Sequence, residues 1–226
     1  MKGVACCMLA ALAWCQPAAA QLDRISKKDA VAALKAALDK GARQAVSSLG
    51  RSDGFLGNPR VRIPLPESLQ KAEGLMRRLG MGRYADELVL SMNRAAEAAV
   101  PEAKTLLVRA VKKMSIEDAK SILTGGDTAG TMYFRRATEV QLRARFLPLV
   151  SKATARMKLA EKYNEYAVKG ARFGLVNKQD ANLDTYVTQK ALDGLFLEIA
   201  DEEKKIRQNP VGSASSIIRK VFGALR

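Results

Sequence analysis

The residues best equipped for chemistry lie together in Ser121–Arg136, S-I-L-T-G-G-D-T-A-G-T-M-Y-F-R-R. Gly125 and Gly126 allow close approach to the backbone, and Asp127 and Thr128 open a new helix. Thr131, Tyr133, Arg135 and Arg136 add hydroxyls and guanidiniums. Free amides at a helix start, with arginines nearby, bind phosphate, sulfate or carboxylate groups. Gly125-x4-Gly130-Thr131 has the outline of a nucleotide phosphate loop, but Thr131 stands where the essential lysine belongs and no strand precedes it. Asp127 also puts negative charge where the anion would sit. The same residues describe a plain junction, with the glycine pair stopping one helix and Asp127 capping the next. Both readings stay open: a site for an anion or a partner, and a stop–cap–start connection.

Other chemistry is sparse. The chain has no histidine, and its three cysteines (Cys6, Cys7, Cys15) fall in the first twenty residues. That removes histidine triads, histidine-ligated metals and cysteine nucleophiles, so no metal and no cofactor is expected and no catalytic residue is assigned. Ser68-Leu-Gln-Lys71 and Ser91-Met-Asn93 mimic penicillin-binding motifs without the third motif or the sheet that would hold it. Asp180-x-Asn182-x-Asp184 opens like a calcium loop, but Thr185 and Ala191 stand where its glycine and its bidentate acid belong. Glu97, Glu102, Asp127 and the Asp201-Glu202-Glu203 cluster are the carboxylates that a glycan hydrolase would use in pairs, and 201–203 reads as a solvated face. Arg60 and Arg62 form a second basic group, in R-S-D-G-F-L-G-N-P-R-V-R-I-P-L-P (51–66).

These residues need helices to position them. Val31, Leu34, Leu38, Ala42, Ala45 and Leu49 recur at helical spacing, which predicts a helix over 27–49. Further helices are expected over 67–79, 84–99, from Pro101 to Met114, and from Ser115 (with Asp118 as a capping box) to Leu123. Asp127 then starts a short one, another begins near Thr138 with a kink at Pro148, and others surround Tyr163–Ala167, 183–207 and 217–225. Asp201–Lys205 and Glu203–Arg207 read as i,i+4 ion pairs on the wet side of the 183–207 helix. Residues 51–66 carry turn dipeptides and alternate Val61, Ile63 and Leu65 with Arg60, Arg62 and Pro64, as an extended strap would. The expected fold is all-α, an irregular bundle of eight or nine helices with one proline-rich strap.

The 226 residues are 48% hydrophobic and only 5% aromatic, a balance that favours helices over sheets. Lys2, the apolar run Val4–Trp14 and the small residues Ala18–Ala20 predict a secretory signal peptide over 1–20, followed by one helical domain over 21–226. Trp14 stands before Cys15 where a lipoprotein signal needs a small residue, which argues against a lipid anchor. No later apolar run reaches membrane length, so no transmembrane anchor is expected after cleavage. Cleavage removes Lys2 and no acid, so the formal charge of +15 becomes +14. In a periplasmic or secreted protein that charge points to an anionic envelope polymer, a lipid headgroup or an envelope protein. With few aromatics among the arginines to stack on bases, nucleic acid is not expected.

Six blocks stand in order along the chain: N-P-x-V-R-I-P-L-P (58–66), M-N-R-A-A-E-A-A-V-P-E-A (92–103), I-L-T-G-G-D-T-A-G-T-x-Y-F-R-R (122–136), Y-V-T-Q-K-A-L-D-G-L-F (186–196), E-E-K-x-I-R-x-N-P (202–210) and K-V-F-G (220–223). Together they resemble a family of exported bacterial proteins catalogued only as a domain of unknown function. The resemblance implies an all-helical periplasmic protein and brings no activity or catalytic residue. Gly130 falls where that pattern carries alanine. The favoured expectation is a non-enzymatic envelope-binding protein, and the alternative is a carboxylate-dependent cell-wall glycan hydrolase.

Overall fold

A computed structural model describes residues 27–78, 80, 82–155, 160, 161, 163, 164 and 182–209. Those residues form an all-helical protein, without a strand among them. Helix α1 (Lys27–Leu49) is followed by α2 (Glu67–Arg78) and α3 (Gly82–Ala99). A 3-10 turn (Val100–Glu102) leads into α4 (Ala103–Lys113), α5 (Ile116–Thr124), α6 (Ala129–Thr154) and α7 (Leu183–Gln208). The expected helix around Tyr163–Ala167 is described only in part, and the one at 217–225, like the leader 1–20, lies outside the described residues.

α7 is the central element and packs along α6, α1 and α3, while α4 lies against α1 and α6. The helices pack closely because their inner faces alternate alanine with large side chains. Ala33, Ala37, Ala42 and Ala45 of α1 and Ala95, Ala96 and Ala99 of α3 are buried beside Leu34, Leu49, Leu88 and Met92. Phe55, Phe134, Phe146 and Phe196 are fully buried and fill the space between layers. Burying such rings against small residues supplies much of the driving force for this core.

Two expectations change. The pieces read as starting at Asp127 and near Thr138 are one continuous helix, α6, which runs through Pro148. Pro148 and Ala144 are both exposed, so the ring and the residue whose carbonyl loses its amide partner lie on the solvent side of the helix. Residues 51–61 do not run extended but fold into successive turns: Gly54 N–H donates to Arg51 O, Gly57 N–H to Asp53 O and Val61 N–H to Asn58 O. Within 51–66 only Asn58 and the run 62–66 are free of helix, turn and bend. The capping box is present as expected, with Asp118 N–H donating to Ser115 Oγ at 3.0 Å and Ser115 N–H donating to Asp118 Oδ2 at 3.2 Å.

The 51–66 segment is fastened by buried polar side chains of α3 and α7. Asn93 accepts from Ile63 N–H (2.8 Å) and donates to Ile63 O (2.9 Å), as a neighbouring strand would. Glu97, only 4% exposed, accepts from the N–H groups of Phe55 and Leu56, each at 3.1 Å. Its other oxygen takes Arg94 Nη1 at 2.6 Å. Tyr186 Oη donates to Pro64 O at 3.1 Å. Backbone groups buried in a loop need partners of this kind, and long-range side chains supply them here.

Candidate functional site

The glycine-pair junction joins α5 to α6. A side chain at Gly125 would begin 2.7 Å from Ala129 Cβ and 2.8 Å from Ser121 O, so only glycine fits the turn. The N-cap of α6 is Thr128, whose side chain makes no capping bond, and Asp127 is exposed. The expected cap by Asp127 is therefore corrected: the cap comes from α7. Glu203 Oε1 accepts from Gly130 N–H at 2.9 Å, and Oε2 accepts from Thr131 N–H at 2.8 Å and Thr131 Oγ1 at 2.9 Å. The first amides of a helix have no partner within it and carry the positive end of its dipole, so a carboxylate is the matching group.

Glu203 is 7% exposed, so it does not lie on a wet face as its cluster suggested. Its charge is matched by Arg207 one turn on, with Nη2 2.9 Å and Nε 3.1 Å from Oε1. The same Nη2 donates to Ile122 O in the last turn of α5 at 2.9 Å. One ion pair on α7 thus puts its anion at the start of α6 and its cation at the end of α5, each the sign that helix end favours. The other expected pair also rearranges: Lys205 pairs with Glu202 at 2.7 Å, and Asp201 turns to Arg60.

The predicted site residues therefore separate. Gly130 and Thr131 face Glu203, whereas Gly125, Gly126, Asp127 and Thr128 are exposed. Tyr133 is buried and donates to Ala110 O at 2.8 Å; burial, then the nearby Asp118 charge, push its phenol pKa up, so it stays protonated. Arg135 lies over the Phe196 ring, 4.6 Å from its centroid, and pairs with Asp193 at 3.4 Å. Arg136 is 70% exposed and pairs with Asp118 at 3.4 Å. Asp201 holds Arg60 and raises its pKa through a hydrogen bond, and Arg62 is exposed. Among the candidate hydrolytic carboxylates, Glu97 and Glu203 spend their oxygens on backbone amides and arginines, and Glu102 lies 3.7 Å from Arg145.

Gly130 is explained by the same contact. A Cβ there would meet Leu38 Cδ2 at 2.4 Å and Glu203 Oε1 at 3.1 Å, so alanine would require Leu38 to move. A small cleft between α1 and α7 opens beside this point, lined by Leu34, Ala37, Leu38 and Ile206 with Glu203 and Arg207. Its only charged side chains are the pair already bound to the helix ends. Among the described residues, no group of three His, Cys, Asp or Glu side chains could hold a metal ion.

The sequence blocks thus meet in pairs: Asn93 and Glu97 of 92–103 fasten 51–66, and Glu203 and Arg207 of 202–210 fasten 122–136. A family model described as a protein of unknown function (DUF4197) matches residues 24–223. The chain belongs to that family. No curated protein and no solved structure matches it. In this DUF4197 protein each block most easily taken for a ligand site is bound by another block of the chain. The residues missed from sequence are Asn93 and the buried role of Glu203. Their signal was position: Glu203 stands between Ile199 and Ile206 on the buried stripe of α7, and Asn93 adjoins the buried Met92.

Proposed function

We propose that this protein is an exported, non-enzymatic component of the bacterial envelope that binds an anionic envelope component, polymer or lipid, through its surface charge. The leader read at 1–20 would deliver it to the periplasm and be removed there. The full bundle of eight or nine helices, with 62–66 as the extended part of the proline-rich strap, belongs to the same reading.

The observation that carries it is how positive charge is distributed. Among the described residues most arginines are neutralised internally, as in Arg43–Asp39, Arg77–Glu73, Arg94–Asp53, Arg135–Asp193, Arg143–Glu139 and Arg207–Glu203. α4, A-K-T-L-L-V-R-A-V-K-K, contains no acid, and its Lys104, Arg109, Lys112 and Lys113 are exposed and enter no ion pair among the described residues. α4 gathers four exposed cations that lack an ion pair among the described residues, where Arg51, Arg62, Arg78, Lys120 and Lys190 are more scattered examples, and such a cluster attracts anionic surfaces while salt screens the attraction. Among the described residues no helix is long and apolar enough to cross a membrane, which suits binding from the side.

Co-sedimentation with lipopolysaccharide, anionic wall polymer and anionic vesicles at low and high salt tests this reading. Binding to at least one of them at low salt, lost at high salt, is expected. No binding to any of them at low salt would sink it.

A further inference from the structure

We propose that the outer face of α4, continued by Ile116, is a docking surface for an anionic lipid bilayer. This rests on the envelope-binding reading above and names its surface and its partner. α4 buries Ala103, Leu107, Ala110, Val111 and the following Met114 against the core. Helical geometry then places Lys104, Val108 and Lys112 in one outward column and Thr105, Arg109 and Lys113 in the next. The face is about 16 Å long at 1.5 Å per residue. Four of its six positions are cationic.

Ile116 selects lipid over a soluble polyanion. It begins α5 just past the end of the basic row and is 67% exposed. It lies three positions after Lys113 and one turn before the exposed Lys120. A soluble polyanion gains nothing from an exposed isoleucine, whereas the boundary between headgroups and acyl chains accepts one while the lysines meet the headgroups. Glu117 is the exposed acid beside it, and Asp118 is held by Ser115 and Arg136. The face carries no aromatic side chain on which a nucleic-acid base could stack.

The test uses the whole chain, expressed from its full sequence and recovered as the cell processes it. It is sedimented with phosphatidylglycerol-rich vesicles, with neutral phosphatidylcholine vesicles, and titrated separately with soluble polyphosphate. The double variant Lys104→Glu/Lys112→Glu is compared with Lys190→Glu/Lys204→Glu, an equal change of net charge on α7. All four positions except the Lys190 contact with the Tyr186 ring are plain exposed lysines, and circular dichroism verifies folding.

The wild type should bind the anionic vesicles and not the neutral ones. The α4 variant should bind at least about 30-fold more weakly, given the surface potential felt by each charge, and the α7 variant should stay within about 3-fold of wild type on the same scale. Ile116→Ser should weaken vesicle binding and leave polyphosphate binding unchanged. Equal losses in the two charge variants would overturn the α4 surface. Polyphosphate binding without vesicle binding would overturn the lipid partner and leave envelope binding intact. Binding to neither vesicles nor polyphosphate would overturn the lipid surface, and would overturn envelope binding as well if lipopolysaccharide and wall polymer also fail to bind at low salt.

Discussion

Glu203→Ala is expected to destabilise the fold by about 3–5 kcal/mol, the usual cost of breaking a buried charge pair from one side. The substitution strands the N–H groups of Gly130 and Thr131 and the Thr131 hydroxyl, and removes the carboxylate that faces the Arg207 guanidinium. In a chain of this size that corresponds to a fall in Tm of roughly 6–20 °C. Glu203→Gln keeps one acceptor oxygen but loses the charge facing Arg207 and the dipole of α6, so an intermediate loss of about 2 kcal/mol is expected. Urea unfolding of the three proteins gives the order. A loss of under about 1 kcal/mol for the alanine variant, the ordinary value of an exposed cap, would mean that the carboxylate does not seat against α6.

Glu97→Ala carries the second large effect. It removes the acceptor for the Phe55 and Leu56 amides and leaves Arg94 with Asp53 and Ser52 as its remaining partners. About 3 kcal/mol is expected, toward the lower end for a buried charge whose partner, Arg94, stays partly solvated. The loss should be local before it is global, because Phe55 is the anchor of the 51–61 turns and lies fully buried. Trypsin should therefore cut the variant after Arg60 or Arg62 under conditions in which the wild type resists. A variant that loses global stability without faster cleavage there would show that Glu97 does not hold the segment.

Much of the architecture is legible from the pattern of apolar residues, because helices announce themselves locally. The starts at Ser115 and Asn182 and the end near Gln208 follow from spacing and caps within one turn of the residue concerned. The false break in α6 has a physical cause. Its buried stripe runs Phe134, Thr138, Leu142, Phe146, Val150, Thr154, and two of those six are threonines. A buried threonine interrupts an apolar pattern, yet Thr138 satisfies its hydroxyl on Phe134 O one turn back at 2.7 Å and costs the helix little.

The junction was less legible because its chemistry is non-local. Gly125 and Gly126 do end a helix, but the group that starts the next one lies 73 residues along the chain from Gly130. Acid-before-base spacing at Glu203 and Arg207 fits a solvated face and a buried clamp equally well, and only the apolar neighbours Ile199 and Ile206 distinguish them. Asp127, beside the helix start, looks like the cap and is not. The same arrangement bears on function: the amides that would receive an external anion are taken by the protein's own carboxylate. The candidate contacts with the envelope move from the junction to the unpaired cations of α4.

The most direct test of this account is amide exchange and phosphate titration at Gly130 and Thr131, followed by NMR. Uncapped first-turn amides exchange freely, since no carbonyl of their own helix receives them. Seated on Glu203, both amides should exchange slowly, at rates close to those of the interior of α6, and their signals should stay fixed as phosphate is added. Rapid exchange at both, with shifts that follow phosphate, would contradict the account and return the junction to the status of an open anion site.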